Sequence, residues 1–206
     1  MEAVLFDFGR VLGNFDKKKA RARLALSSPY SANEIRDIMD ARKLEKMLES
    51  GIMSPTAFAN ELLYHIKSSL TVPDVMRIWG DIFTPNAMIE PYIDRLMERQ
   101  IKIGVLSNTN GIHRDYFVEL PLMLKLKDCG VPFILSHEEN MMKPDPRIYE
   151  IALKRLKSTA PETLFLDDLE ENVVAARDVG LRAEQYDCTH HTSTRLDEIF
   201  RAHTLL

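Results

Sequence analysis

Short apolar, strand-like runs that each lead to a reactive polar group limit the fold of this chain more than any other feature. The first run, Val4-Leu5-Phe6, is closed by Asp7 and the turn-prone Phe8-Gly9-Arg10. Three later segments repeat the arrangement: Val105-Leu106 leads into Ser107-Asn108-Thr109-Asn110, a further loop reads Met142-Lys143-Pro144-Asp145, and Leu164-Phe165-Leu166 ends on Asp167-Asp168. In an open parallel sheet the loops at the carboxyl ends of the strands gather along one edge, so these four segments are expected to converge there. Runs at 3–6, 102–106, 132–135, 163–166 and 182–186 read as buried strands. Helical stretches between the later ones make the second half a β-α alternation around a parallel sheet.

Residues 17–88 differ in character. They show helical stretches punctuated by Ser27-Ser28-Pro29, Ser50-Gly51, Ser54-Pro55 and Thr71-Val72-Pro73, without a convincing strand. Ser31 and Glu34 have the capping-box spacing, and Ser54-Pro55 puts a cap residue before a proline at the first helical position. The expected organisation is a Rossmann-like α/β core from residues 1–13 and 89–206, with a small all-helical cap from 14–88 inserted after the first strand. At 206 residues, with 45% hydrophobic, the chain can bury such a core. The basic run Lys17-Lys18-Lys19 reads as a solvated helix start.

A net charge of -4 supplies no basic field, so neither nucleic acid nor an anionic membrane is expected as partner. No apolar run approaches the roughly 20 residues of a membrane span. The chain enters a strand within three residues of Met1, without signal-peptide character. Cys129 and Cys188 form neither a disulfide framework nor a metal-spaced set and read as buried or half-buried thiols of a reducing compartment. A cytoplasmic protein, monomeric or homodimeric, is the expectation.

At a strand end before a tight turn, Asp7 is placed to attack phosphorus, provided a cation offsets the repulsion between two anions. Asp167 and Asp168 offer a site for it, since Mg²⁺ takes oxygen ligands and keeps several waters. Lys143, on a loop stiffened by Pro144 and Pro146, is positioned to neutralise the nucleophile and the transferring group together. Ser107 and Asn108 provide a hydroxyl, an amide and backbone N–H groups for an anion.

The four segments, in this order and over nearly the whole chain, resemble the haloacid dehalogenase-like superfamily of hydrolases, most of whose members are Mg²⁺-dependent phosphatases. Their branch with an Asp-Phe-Gly first motif and a small helical cap, which includes the alpha-glucose-1-phosphate phosphatase type, is the most similar. The resemblance implies Asp7 as nucleophile, Ser107 as phosphate ligand and Lys143 as its stabiliser. For Mg²⁺ it implies Asp7, the Gly9 carbonyl and Asp168, with Asp167 as second acid and Asn172 in the outer shell. The substrate it implies is a small phosphate ester, such as a sugar phosphate. One departure stands out: most phosphatases of the superfamily carry a second aspartate, the general acid, where this chain has Gly9. Arg10 beside it is placed to reach a phosphate, the cap or a salt bridge at the hinge. His113 and His137 are candidates for the missing acid, and Trp79 reads as cap or hinge packing. Two other readings stay open. One is a 2-haloacid dehalogenase, in which Asp7 attacks carbon without a metal; the other is a phosphate-binding protein without turnover.

Overall fold

Successive side chains of a strand project to opposite faces. In β1 (Ala3–Phe6), Val4 and Phe6 enter one apolar cluster and Leu5 the other. The computed structural model describes residues 1–205. After β1 come β2 (Gly13–Phe15), the helices α1 (Lys17–Ala25), α2 (Ala32–Ala41), α3 (Leu44–Glu49), α4 (Pro55–Ile66) and α5 (Val72–Gly80), and then β3 (Phe83–Pro85). The chain continues through α6 (Glu90–Glu98), β4 (Lys102–Ser107), α7 (Gly111–Phe117), α8 (Pro121–Asp128), β5 (Phe133–Leu135) and α9 (Ser136–Glu139). It ends with α10 (Pro146–Leu156), β6 (Thr163–Asp167), α11 (Glu170–Asp178), β7 (Arg182–Gln185) and α12 (Ser193–Ala202).

The main sheet has the order β5-β4-β1-β6-β7, with every pair parallel. Parallel neighbours need crossover helices, which cover both faces and make the central strands apolar, whereas the edge strand β7, expected to be buried, reads Arg-Ala-Glu-Gln and buries Ala183 alone. Ile93, Phe117, Leu126 and Phe200 cover one face, and Ile148, Tyr149 and Val173 the other. Phe6 lies opposite Val105 on one side and Leu166 on the other. That register sets Asp7 level with Asp167, with Ser107 one residue further along β4.

Helices α1 to α5 bury a further apolar cluster around Leu24, Ile35, Phe58, Leu62 and Trp79, and Ile112 of α7 joins it from the core. The cap helices start where the side chains allow. The Ser31 hydroxyl accepts from the Glu34 N–H while Glu34 accepts from the Ser31 N–H, and Ser54 caps α4 with Pro55 at its first position. Residues 17–88 do contain a strand, however. Phe83–Pro85 pairs antiparallel with Gly13–Phe15, a ribbon at the base of the cap. Three residues that include a proline carry no alternation, and this hid the strand from a pattern reading.

The basic run is also divided. Lys18 and Lys19 are exposed, but Lys17 turns inward and pairs with Glu45 and Glu49. Cys129, expected to be buried at least in part, is exposed just past α8, and Cys188 is partly buried; both are free thiols. Among the described residues no helix is long and apolar enough to cross a membrane.

Cap and core meet at Gly51, whose φ is +74° and where a Cβ would stand 2.5 Å from the His137 carbonyl oxygen. Gly51→Ala is therefore expected to cost about 1–3 kcal/mol, from left-handed strain and a clash with main chain that cannot swing aside. Urea unfolding of the variant checks this.

Candidate active site

Three strand ends and one loop build the site. The Asp7 N–H donates to the Leu166 carbonyl at 2.8 Å, continuing the sheet ladder one residue beyond β1 and fixing the carboxylate at the edge. Lys143 arrives from the loop before α10 with its side chain 1% exposed. Its ammonium lies 2.8 Å from Asp7 Oδ1 and 2.5 Å from Asp167 Oδ2, and donates to the Leu106 carbonyl at 3.0 Å. All three ammonium protons thus have acceptors, as a buried charge requires.

The Asn108 side chain holds that lysine in place. Its Oδ1 accepts from the Lys143 N–H at 2.8 Å and its Nδ2 donates to the Lys143 carbonyl at 2.9 Å. The amide therefore serves chiefly to dock the lysine loop, leaving one amide hydrogen and the backbone for an anion. Ser107 is buried at the end of β4 and opens onto the same cavity.

Carboxylate oxygens of Asp7, Asp167 and Asp168 lie within 4.8 Å of one another. Burial pushes Asp7 up to about 7, the Lys143 ammonium pulling against it and Asp167 and Asp168 adding to it. Burial and then Asp167 raise Asp168 to about 6. Such a cluster is under-compensated by one lysine, and a divalent cation relieves that repulsion. The acids differ in what they have left to offer. Asp167 gives Oδ2 to Lys143 and Oδ1 to the Leu169 N–H and the Asn172 amide, at 2.9 Å each. The Asp168 carboxylate has a single ion pair among the described residues, the Arg10 guanidinium 4.0 Å away. Asn172 Oδ1 is buried and has no hydrogen-bond partner among the described residues. The oxygen donors of this set fit Mg²⁺, and Asp7 and Asp168 are the acids that would hold it.

Arg10 has φ +57°, and its guanidinium lies 5.6 Å from the Phe15 ring centroid and 3.4 Å from Asp187. It spans the hinge while lining the cavity. His113 also lines the cavity, but burial lowers its imidazole to about 3, so it is neutral and cannot act as a cationic acid near pH 7. His137 sits on α9 beside Glu138 and is not among the lining residues. Trp79 is fully buried in the cap and stacks on His113 at 5.8 Å.

The cavity over Asp7 measures about 320 Å³. Part of its wall comes from the cap: Phe15, Lys17, Glu49 and Phe83. Sequence reading missed Lys17 and Glu49. The one available signal was the spacing of Glu45 and Glu49, which places two acids on one face of a helix.

The sequence matches the family model described as haloacid dehalogenase-like hydrolase over residues 2–180. A D-ribitol-5-phosphate phosphatase of Bacteroides thetaiotaomicron is 24% identical over 187 residues, 88% of this chain and 90% of that protein. A sesquiterpene phosphatase of Aspergillus oryzae is 25% identical over 185 residues, 87% of each chain. Among solved structures, an enzyme of Bacteroides thetaiotaomicron in complex with magnesium and inorganic phosphate superposes with a TM-score of 0.80 at 20% identity. It covers 93% of this chain and 96% of its own.

Proposed function

This chain belongs to the haloacid dehalogenase-like hydrolase family, and from that premise we propose that it is a Mg²⁺-dependent phosphomonoesterase working through a phospho-Asp7 intermediate. The observation that carries the reading is the Asp7–Lys143 pair at 2.8 Å, set within a cluster of three carboxylates. A carboxylate that attacks phosphorus must overcome repulsion between anions, and a fixed ammonium beside an acidic cation site meets that need. Attack on a neutral carbon, as in the dehalogenase reading, has no use for the extra acids, whose burial is unfavourable without a counter-charge.

In this reading Ser107 and the backbone that follows it bind the phosphoryl oxygens, and Lys143 stays paired as charge builds on them. When bound, Mg²⁺ neutralises the phosphate and polarises it toward attack. Asn108 and Asn172 keep Lys143 and Asp167 in place. The substrate class is a small, polar phosphate ester such as a sugar or polyol phosphate. The cavity size and its charged cap residues Lys17 and Glu49 support this, as does the relative that is a D-ribitol-5-phosphate phosphatase.

A panel of phosphate esters assayed with and without Mg²⁺ tests the reading: hydrolysis is expected only with the metal, and turnover that ignores chelation overturns it. Asp168→Ala is expected to raise the half-saturating Mg²⁺ concentration by at least about tenfold, since even an outer-shell change typically costs that much. Calorimetric Mg²⁺ titration provides a second readout. Unchanged Mg²⁺ affinity in both measurements would mean that the metal ligand has been misassigned.

A further inference from the structure

Cleaving an ester with a basic leaving group needs a proton donor, and residue 9 supplies none. The space there is tight as well, because a Cβ on Gly9 would stand 3.0 Å from Phe15 Cε1 and the ring would have to give way. The donor must therefore come from elsewhere on the cavity wall. Asp7 is taken up as nucleophile and Asp168 as cation ligand, His113 is neutral, and Lys143 holds its proton between two carboxylates. One further carboxyl group lines the cavity among the described residues, and it comes from the cap.

Building on the phosphatase reading, we propose that Glu49 donates the proton to the leaving oxygen and then accepts one from the attacking water. As the bond between phosphorus and the leaving oxygen breaks, its electron pair stays on that oxygen, which takes the Glu49 proton and departs as the alcohol. A bond forms in its place between an Asp7 carboxylate oxygen and phosphorus, so that Asp7 is left as an acyl phosphate and Glu49 as a carboxylate facing Lys17, whose ammonium is 3.7 Å away. Water then attacks phosphorus and passes a proton to Glu49. Inorganic phosphate leaves, and the Asp7 carboxylate and the Glu49 acid are both restored.

The fold anchors Glu49 to the phosphate loop. The Ser136 hydroxyl lies 2.6 Å from the Glu49 carbonyl and accepts the Thr109 N–H at 2.8 Å, so the end of α3 is tied to the loop that begins at Ser107. Glu49 also carries a proton near neutral pH. Burial pushes it up to about 8, Lys17 opposing and the neighbouring Glu45 adding to the rise. The ionisable groups set around it are Lys17 and Glu45 in the cap and Asp7, His113, Lys143 and Asp168 across the cavity. On α9, which packs against α3, burial lowers His137.

The test compares Glu49→Gln with wild type, in Mg²⁺, across phosphate esters from alkyl to nitrophenyl. The value of kcat/KM, which reports formation of the phospho-enzyme and not its hydrolysis, is expected to fall at least about 10²-fold on alkyl phosphates and by less than about tenfold on nitrophenyl phosphate, because a good leaving group needs little protonation. With alkyl esters the wild-type rate should decline as pH rises through about 8, where a donor with a raised pKa loses its proton. That alkaline limb should vanish in the variant. Equal losses across the series, or a change in KM alone, overturn the inference while leaving the phosphatase reading intact. A wild-type protein inert toward every ester overturns both. If Glu49→Gln does not fold, Glu49→Asp carries the same test, since it withdraws the carboxyl by one methylene.

Discussion

Asp7→Asn is expected to lower turnover by more than about 10³-fold on every ester while leaving the fold intact. The substitution keeps the side chain's shape and its place at the end of β1 but removes the charge that attacks phosphorus. The fold should tolerate it because the Asp7 carboxyl is already pushed up to about 7 by burial, so a neutral amide is no worse accommodated there. Lys143 retains Asp167 at 2.5 Å and the Leu106 carbonyl at 3.0 Å as acceptors. Rapid-quench detection of phosphoprotein sharpens the measurement: wild type should form it within one turnover and the variant should not. Retention of more than about a hundredth of the wild-type rate would contradict a covalent mechanism.

Lys143→Met should be costly twice over. It removes the one cation that, among the described residues, touches both buried carboxylates, Asp7 at 6% and Asp167 at 0% exposed. Taking away one partner of a buried ion pair typically costs about 3–5 kcal/mol, because the remaining charge is left without compensation. A clear drop in the urea midpoint is therefore expected, together with a rate loss of about 10³-fold or more. Lys143→Arg should not restore either property. The slot leaves 1% of the lysine side chain exposed, and a planar guanidinium does not fit the three-acceptor geometry around Nζ. If Lys143→Met keeps wild-type stability, the ion pairs are not what holds the four segments together.

The parts of the site legible in the sequence are those in which function sits beside a strand end. Asp7, Ser107 and Asp167 each follow an unbroken apolar run, and a parallel sheet brings such ends to one edge whatever the details of packing. Lys143 was marked by the prolines that follow it. These signals are local: a strand is four to six residues with a period of two, and a helix cap is one residue and its third neighbour. The preference for Asp168 over Asp167 as metal ligand came from the family resemblance. What supports it, the hydrogen bonds that take up both oxygens of Asp167, exists only in the folded chain.

The chain's own order of residues thus determined the strands of the main sheet, the helices of the insert and four of the reactive groups, because each depends on neighbours along the sequence. Tertiary structure decided the rest. Asn108 and Lys143 are 35 residues apart, and their embrace exists only once β4 and the lysine loop lie side by side. Lys17 reads as a solvated charge and nothing local marks Glu49, until the cap folds over the core and both line the cavity. The β2–β3 ribbon joins residues separated by the whole cap. Local preferences are written within a few residues, but which distant side chains share a desolvated space is set by packing, and there burial and long-range ion pairs assign each group its charge.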